Sequence, residues 1–191
     1  MGILGVSAIH ETINTILDYQ MKYLATLEYT TPETFATFMG HYGQAVNFFA
    51  MIWAITGSSF FLRKFGLLFC LLFYPITVAM VVVAVYFFPT LWMLFAGLVL
   101  FKVLNYSLNN PTKEILYIPT DESTRYKAKA WIDAFGARGF KAAGATFTNF
   151  FRHSFKDLTT YGALISLTVI GFWILIAYAT GKRFKTLAAK G

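Results

Sequence analysis

Long apolar runs separated by short polar segments make up most of the chain. A helix needs about 20 residues to cross the hydrocarbon core of a bilayer. The pattern predicts six such spans, at about 3–25, 42–62, 65–88, 90–109, 129–151 and 158–181, with a connection over 110–128. The third is the clearest, because residues 66–88 contain no charge. We therefore expect an all-α integral membrane protein with one domain of six transmembrane helices.

The composition supports this class. Of the 191 residues, 57% are hydrophobic and 13% are charged, whereas a soluble domain carries about 25% charged residues. Cys70 lies inside an apolar run, so neither a disulfide nor a cysteine-based metal site is expected. His10, His41 and His153 lack companion ligands at metal spacing. We expect no metal, no cofactor and no enzymatic activity, and the scattered cations do not predict nucleic-acid binding.

Lysine and arginine are concentrated on one side of the predicted spans. The segments on that side carry ten cations, Arg63, Lys64, Lys113, Arg125, Lys127, Lys129, Lys182, Arg183, Lys185 and Lys190. The opposite loops carry two, Arg152 and Lys156, and the loop after the first span is acidic, with Glu28 and Glu33. Because cytoplasmic loops are enriched in Lys and Arg, we expect both termini on the cytoplasmic side.

Polar and charged residues inside the predicted spans are costly to bury in lipid and usually face a cavity or a partner. In the first span they recur every fourth residue from His10 and so share one helix face. The candidate lining residues are Glu11, Asn14, Asp18 and Lys22 in the first span, Lys102, Asn105 and Asn109 in the fourth, and Asp133, Arg138 and Lys141 in the fifth.

Structural explanations exist for several of these residues. Lys22, at the end of its span, is placed to snorkel to the interface, and His10 and Glu11 are near an interface as well. Arg138 and Lys141 are placed to form structural ion pairs. Lys102 is deeper, so snorkelling is harder and a cavity role is favoured.

Two further features of the spans bear on the interior. Small residues from 134 to 145 in the fifth span would let a neighbouring helix approach closely. The aromatic residues of the third span, including Tyr74, Tyr86, Phe87 and Phe88, are expected to face lipid or the interfaces.

The charged lining set has four cations and three acids. Cations in a low-dielectric cavity bind anions strongly, so this balance suits a multiply charged anion such as a nucleotide.

Two segments carry a family resemblance. Residues 110–120 have the sequence NPTKEILYIPT, and residues 126–138 have the sequence YKAKAWIDAFGAR. Both resemble the nucleotide transporter (ATP/ADP translocase) family of intracellular bacteria and plastids, which is similar in fold to the major facilitator superfamily. Residues 18–22 and 38–40 resemble the start of the C-terminal half of that family, and the loop at 63–66 is placed like the basic turn of major facilitator proteins.

The resemblance implies ATP/ADP exchange by alternating access, in a bacterial inner membrane or a plastid-type envelope membrane. It implies a transport role for Asp18, at a position where the family commonly has Glu. It assigns Lys129, or the nearby Lys127, to the lysine of the motif before the fifth helix, and Lys22 to a basic position near the acid.

The family has two six-helix halves, and only the second is matched here. The resemblance therefore implies a fragment or split product that pairs with a second six-helix half, or a homodimer. Two other functions are kept as alternatives. One is a major facilitator type transporter of another solute, with Asp18 as the candidate residue for proton coupling. The other is a membrane partner subunit that transports nothing.

Overall fold

The computed structural model describes residues 2–56, 58–116, 131, 136–151 and 153–188. Within these residues the chain is helical with short connections and contains no strand. The helices are α1 (Gly2–Glu28), α2 (Pro32–Thr56), α3 (Ser58–Phe87), α4 (Leu91–Leu104), α5 (Asn110–Leu116), α6 (Ala137–Phe150) and α7 (Phe155–Ala188), and a π-helical turn (Asn105–Asn109) joins α4 to α5. The expected all-α fold is confirmed.

Within the described residues, three helical segments are long and apolar enough to cross a membrane. They are Phe60–Phe87, Leu91–Leu116 and Phe155–Lys182, and they correspond to the third, fourth and sixth predicted spans. A length of about 20 residues suffices to cross, and α1 and α2 have 27 and 25 residues. Because these two helices carry more polar residues, the total of six spans stays a prediction.

The helix that contains most of the predicted second span, 42–62, has different bounds from that span. The helix α2 begins at Pro32, where Thr31 accepts a hydrogen bond from the Thr34 amide at 3.3 Å. Proline suits the first helical turn because its missing N–H needs no partner there. Arg63 and Lys64, expected in a turn, instead lie in the first part of α3. The chain direction changes just after them at Gly66, whose φ of 78° and ψ of 170° favour glycine.

The connection expected over 110–128 is helical at its start. The helix from Leu91 continues through the π-helical turn to Leu116. Pro111 has no N–H to donate back along the helix, and the wider turn directly before it lets the helix continue. Residues 117–130 lie outside the described part of the chain.

The last two helices differ from their predicted spans in different ways. The first described residues of the predicted fifth span are Trp131 and Gly136, so its expected start at 129 is not tested. The sixth span is longer than the predicted 158–181, since α7 covers Phe155–Ala188. It begins where Ser154 accepts a hydrogen bond from the Asp157 amide at 3.2 Å, which satisfies one of the unpaired donors of the first turn.

Helix α1 is the centre of the packing. It contacts α6, α7 and α4, while α3 packs along α7. Ile13, Leu17 and Met21, at helical spacing on one face of α1, are at most 3% exposed. In a bilayer such side chains stabilise the bundle through close packing between helices rather than through removal from water. The buried face fixes the rotation of α1, and so decides where its polar stripe points.

The small residues of the predicted fifth span divide into two groups. Gly144 of α6 is buried, and a Cβ built on it would lie 3.0 Å from the Cβ of Thr15 and 3.1 Å from the backbone oxygen of Thr12. Gly139 has open space at the same position, and Ala142 and Ala143 are exposed. The close approach to α1 therefore depends on Gly144 alone among these four residues.

We expect Gly144→Leu to destabilise the protein by about 1–3 kcal/mol, because the added atoms meet the backbone of α1. Gly139→Leu on the same helix is the matched control and should leave stability nearly unchanged. Thermal unfolding of both variants in the same detergent measures the difference. Equal melting temperatures for the two variants would contradict the packing of α6 on α1.

Candidate functional site

The polar face of α1 carries an ion pair. The Lys22 Nζ lies 2.6 Å from Asp18 Oδ2, one helical turn away. The Asp18 side chain is 22% exposed and that of Lys22 is 47% exposed. The pair shows that Lys22 directs its ammonium group along the polar stripe, toward Asp18.

A second lysine reaches the same carboxylate from α4. The Lys102 Nζ lies 4.0 Å from Asp18 Oδ1 and 5.0 Å from the centre of the Tyr42 ring of α2. An ammonium group over an aromatic face is attracted by the ring quadrupole. We call Asp18, Lys22, Lys102 and Tyr42 the lysine–aspartate cluster. It joins α1, α2 and α4, and its two cations exceed its one anion.

Two buried polar atoms in or beside this cluster have no hydrogen-bond partner among the described residues. They are the Tyr42 hydroxyl and the Oδ1 atom of Asn14, one turn before Asp18 on α1. A buried polar atom without a partner costs about 1–3 kcal/mol. Such atoms leave hydrogen-bonding capacity beside the lysines.

The two asparagines expected to line the cavity bond to each other instead. In the π-helical turn, the Asn109 amide nitrogen donates to Asn105 Oδ1 at 2.7 Å. Asn109 is buried and Asn105 is half-buried. Turns of this type are frequently found at functional sites, and this one begins three residues after Lys102.

The predicted lining residues of the fifth span are only partly described. Arg138 and Lys141 are exposed on α6. Glu11 is half-buried on α1, the helix against which α6 packs. Lys127, Lys129 and Asp133 lie outside the described residues.

His10 belongs to a buried layer rather than to an interface. Its Nδ1 atom is 2.7 Å from the Tyr74 hydroxyl, and its ring stacks on Phe101 at 4.7 Å between centroids. Tyr74 is 1% exposed and packs edge-on against Trp173. The expectation that Tyr74 faces lipid is wrong, because its hydroxyl finds partners only inside the bundle; Tyr86, Phe87 and Phe88 are exposed as expected.

Sequence reasoning missed Tyr42 as a member of the cluster. It stands at the expected start of the second span without a charged neighbour, so no local signal marks it. Its position under Lys102 arises only from the packing of α2 against α4. Among the described residues, no group of three or more His, Cys, Asp or Glu side chains is placed to hold a metal ion.

These features define a multi-pass helical membrane protein with a cationic polar face. Residues 90–184 match the family model described as TLC ATP/ADP transporter. About half of the chain is therefore similar to this nucleotide transporter family. The match includes Lys102 and both asparagines of the π-helical turn.

Individual relatives cover more of the chain. ADP,ATP carrier protein 1 of Rickettsia conorii is 27% identical over 188 residues, which is 85% of this chain and 38% of the carrier. ADP,ATP carrier protein 1 of Chlamydia pneumoniae is 26% identical over 91% of this chain and 38% of the carrier. The chloroplastic ADP,ATP carrier protein 1 of Arabidopsis thaliana is 36% identical over 47% of this chain and 15% of the carrier. The chain thus spans less than half the length of these curated relatives, and no solved structure matches it.

We expect Tyr74→Phe to destabilise the protein by about 1–2 kcal/mol, because it leaves the buried His10 ring without its hydrogen-bond partner. Tyr178→Phe is the matched control, since Tyr178 is 52% exposed on α7. Unfolding of both variants in detergent gives the two changes in stability. A loss of the same size in both would show that the buried hydrogen bond contributes nothing measurable.

Proposed function

We propose that this chain forms the C-terminal part of a membrane nucleotide exchanger that carries ATP in exchange for ADP. The lysine–aspartate cluster is the observation that carries the proposal, because it presents two ammonium groups around one carboxylate on an exposed face. Phosphate oxygens are the preferred partners of such cations. The named relatives are ADP,ATP carriers, which favours transport over catalysis.

The cluster suggests how the empty site is kept stable. Without a substrate, Asp18 offsets the charge of Lys22 and Lys102. A bound phosphate group would compete with Asp18 for both ammonium groups, and Asp18 would then be free to take another partner. A ligand shifts a conformational equilibrium only if it binds the two conformations with different affinities. This exchange of partners at the lysines would therefore couple phosphate binding to alternating access.

The remaining candidates are assigned to the same path by position. Lys141 and Arg138 are exposed cations on α6, the helix that packs against α1. Lys127, Lys129 and Asp133 are included because they belong to the segment that resembles the family motif. Glu11 and Asn14 supply polar groups on α1, and Asn105 and Asn109 supply them in the π-helical turn that follows α4.

The exposure of the cluster favours a second membrane unit. A charge facing lipid costs several kcal/mol at the bilayer centre, yet the side chain of Lys102 is 27% exposed and that of Lys22 is 47% exposed. We infer that another six-helix unit covers this face, either the rest of a longer protein or a second chain. Substrate sites of two-repeat transporters lie between the repeats.

The orientation follows from the charge distribution. Ten cations on one side of the predicted spans against two on the other favour both ends of this chain on the cytoplasmic side. Single cysteines introduced at Thr30 and at Lys190, in a Cys70→Ser background, test this orientation. The measurement is their labelling by an impermeant thiol reagent in intact cells. Labelling at 30 and protection at 190 is the expected pattern, and the reverse would overturn this orientation.

Binding by the purified chain tests the role of Lys102 directly. ATP and ADP should bind more tightly than adenosine, which has no phosphates. We expect Lys102→Met to weaken ATP binding about tenfold, or ~1.4 kcal/mol, because one charge-assisted contact is lost. Lys156→Met, which removes an exposed cation at the start of α7, should leave the affinity unchanged.

Titration calorimetry in detergent gives these affinities. Equal ATP affinity in the Lys102 and Lys156 variants would contradict the assignment of Lys102. Uptake of labelled ATP into vesicles loaded with ADP then tests exchange, with Lys129→Ala as a further variant. Uptake driven by a pH gradient without internal nucleotide would instead support a proton-coupled carrier of another solute.

A further inference from the structure

An aromatic pocket lies at the opposite end of α4 from Lys102. It is a cavity of about 290 Å³ where the end of α1 meets the starts of α2 and α4. We call it the aromatic pocket; its lining residues are Tyr29, Thr34, Thr37, Phe38, His41, Trp92 and Phe95. None of these residues belongs to the lysine–aspartate cluster.

Four of the lining residues bring aromatic rings to this cavity at different angles. Phe38 is the buried centre, with Tyr29 stacked on it at 5.1 Å between centroids. Trp92 meets Phe38 edge-on at 6.4 Å and an angle of 78°. Phe95 is tilted against both, 5.7 Å from each. These four rings therefore line one space, with one face of Tyr29 covered by Phe38, while Trp92 stays 60% exposed at its edge.

The charged residues in the segments next to the aromatic pocket are acidic. Glu28 directly precedes Tyr29, and Glu33 lies one helical turn before Thr37 on the same face of α2. Neither 23–62 nor 65–101 contains a lysine or an arginine. An anion would find no cationic partner in these segments, whereas a cation would be attracted by both the ring faces and the carboxylates.

The two threonine hydroxyl groups of the pocket already donate their protons, so their oxygens, the Tyr29 hydroxyl and the His41 ring are the few acceptors that the side chains of the lining offer. The Thr37 hydroxyl donates to the Glu33 carbonyl oxygen at 2.8 Å, and the Thr34 hydroxyl bonds to Thr31. A primary ammonium group is strongly hydrated and needs acceptors to replace its water. A quaternary ammonium group donates no hydrogen bonds, and binds to aromatic faces instead.

We propose that the aromatic pocket binds a quaternary ammonium group, with Trp92, Tyr29 and Phe95 presenting ring faces and Glu28 and Glu33 supplying negative charge nearby. The group can belong to a free solute such as choline or to the headgroup of phosphatidylcholine. Tryptophan and tyrosine at the ends of membrane helices lie at headgroup level, so both sources reach the pocket. The pocket adjoins the lysine–aspartate cluster, because Phe95 packs edge-on against Tyr42 at 5.6 Å between ring centroids, but the proposal does not rest on nucleotide transport.

The test compares choline with its uncharged carbon analogue, 3,3-dimethylbutan-1-ol, on the full chain in dodecyl maltoside. Calorimetric titration should show choline binding at least about tenfold more tightly, because only the cation gains from the ring quadrupoles. Trp92→Leu should weaken choline binding about tenfold. Phe48→Leu is the matched control, since Phe48 is an exposed aromatic residue elsewhere on α2, and it should change nothing.

Each further outcome decides the proposal. Equal binding of choline and the analogue would overturn it. Unchanged choline binding by the Trp92→Leu variant would also overturn it, if that variant has the same melting temperature as the parent. Glu33→Gln, an exposed substitution, should weaken choline binding without affecting the analogue. Nanodiscs of phosphatidylcholine or phosphatidylglycerol separate the sources, because a lipid ligand would block choline only in the first. Failure of both free choline and phosphatidylcholine to bind would also overturn the proposal.

Discussion

One carboxylate between two ammonium groups is the interaction on which the polar interior depends. A cation inside a bilayer is tolerated when a counter-charge or an aqueous cavity accompanies it. Asp18 serves both Lys22, on its own helix, and Lys102, from α4. Its position is set by the neighbouring face of α1, where Ile13, Leu17 and Met21 are buried. Apolar packing thus decides which charges meet.

The same bundle separates two kinds of chemistry along α4. Near its middle, Lys102 lies over Tyr42 and close to Asp18, and the surroundings are cationic. At its start, Trp92 and Phe95 border a cavity whose neighbouring charges are acidic. Along α4, the surroundings of Lys102 therefore favour an anion, and the aromatic pocket at the start of the helix favours a cation. An anion and an organic cation would be directed to different places on this protein.

The sequence predicted the helical class, the third span and the shared face of Asp18 and Lys22, because each follows from local periodicity or composition. It did not predict the start of α2, which the Thr31 cap sets, or the break at Gly66 inside α3. The Tyr42 contact and the burial of Tyr74 arise between helices that are distant in sequence. Periodicity tells which residues share a helix face, but it does not tell which helix that face meets.

The π-helical turn fixes the rotational register of the segment that follows it. A turn of this kind contains one residue more than an α-helical turn, so it is equivalent to a single-residue insertion. Each residue of an α-helix advances the direction of its side chain by about 100°. Deleting one residue between Asn105 and Asn109 would therefore swing the buried Thr112 and Leu116 away from the bundle. The segment from 110 to 116 can keep its present inner face only while that extra residue is retained.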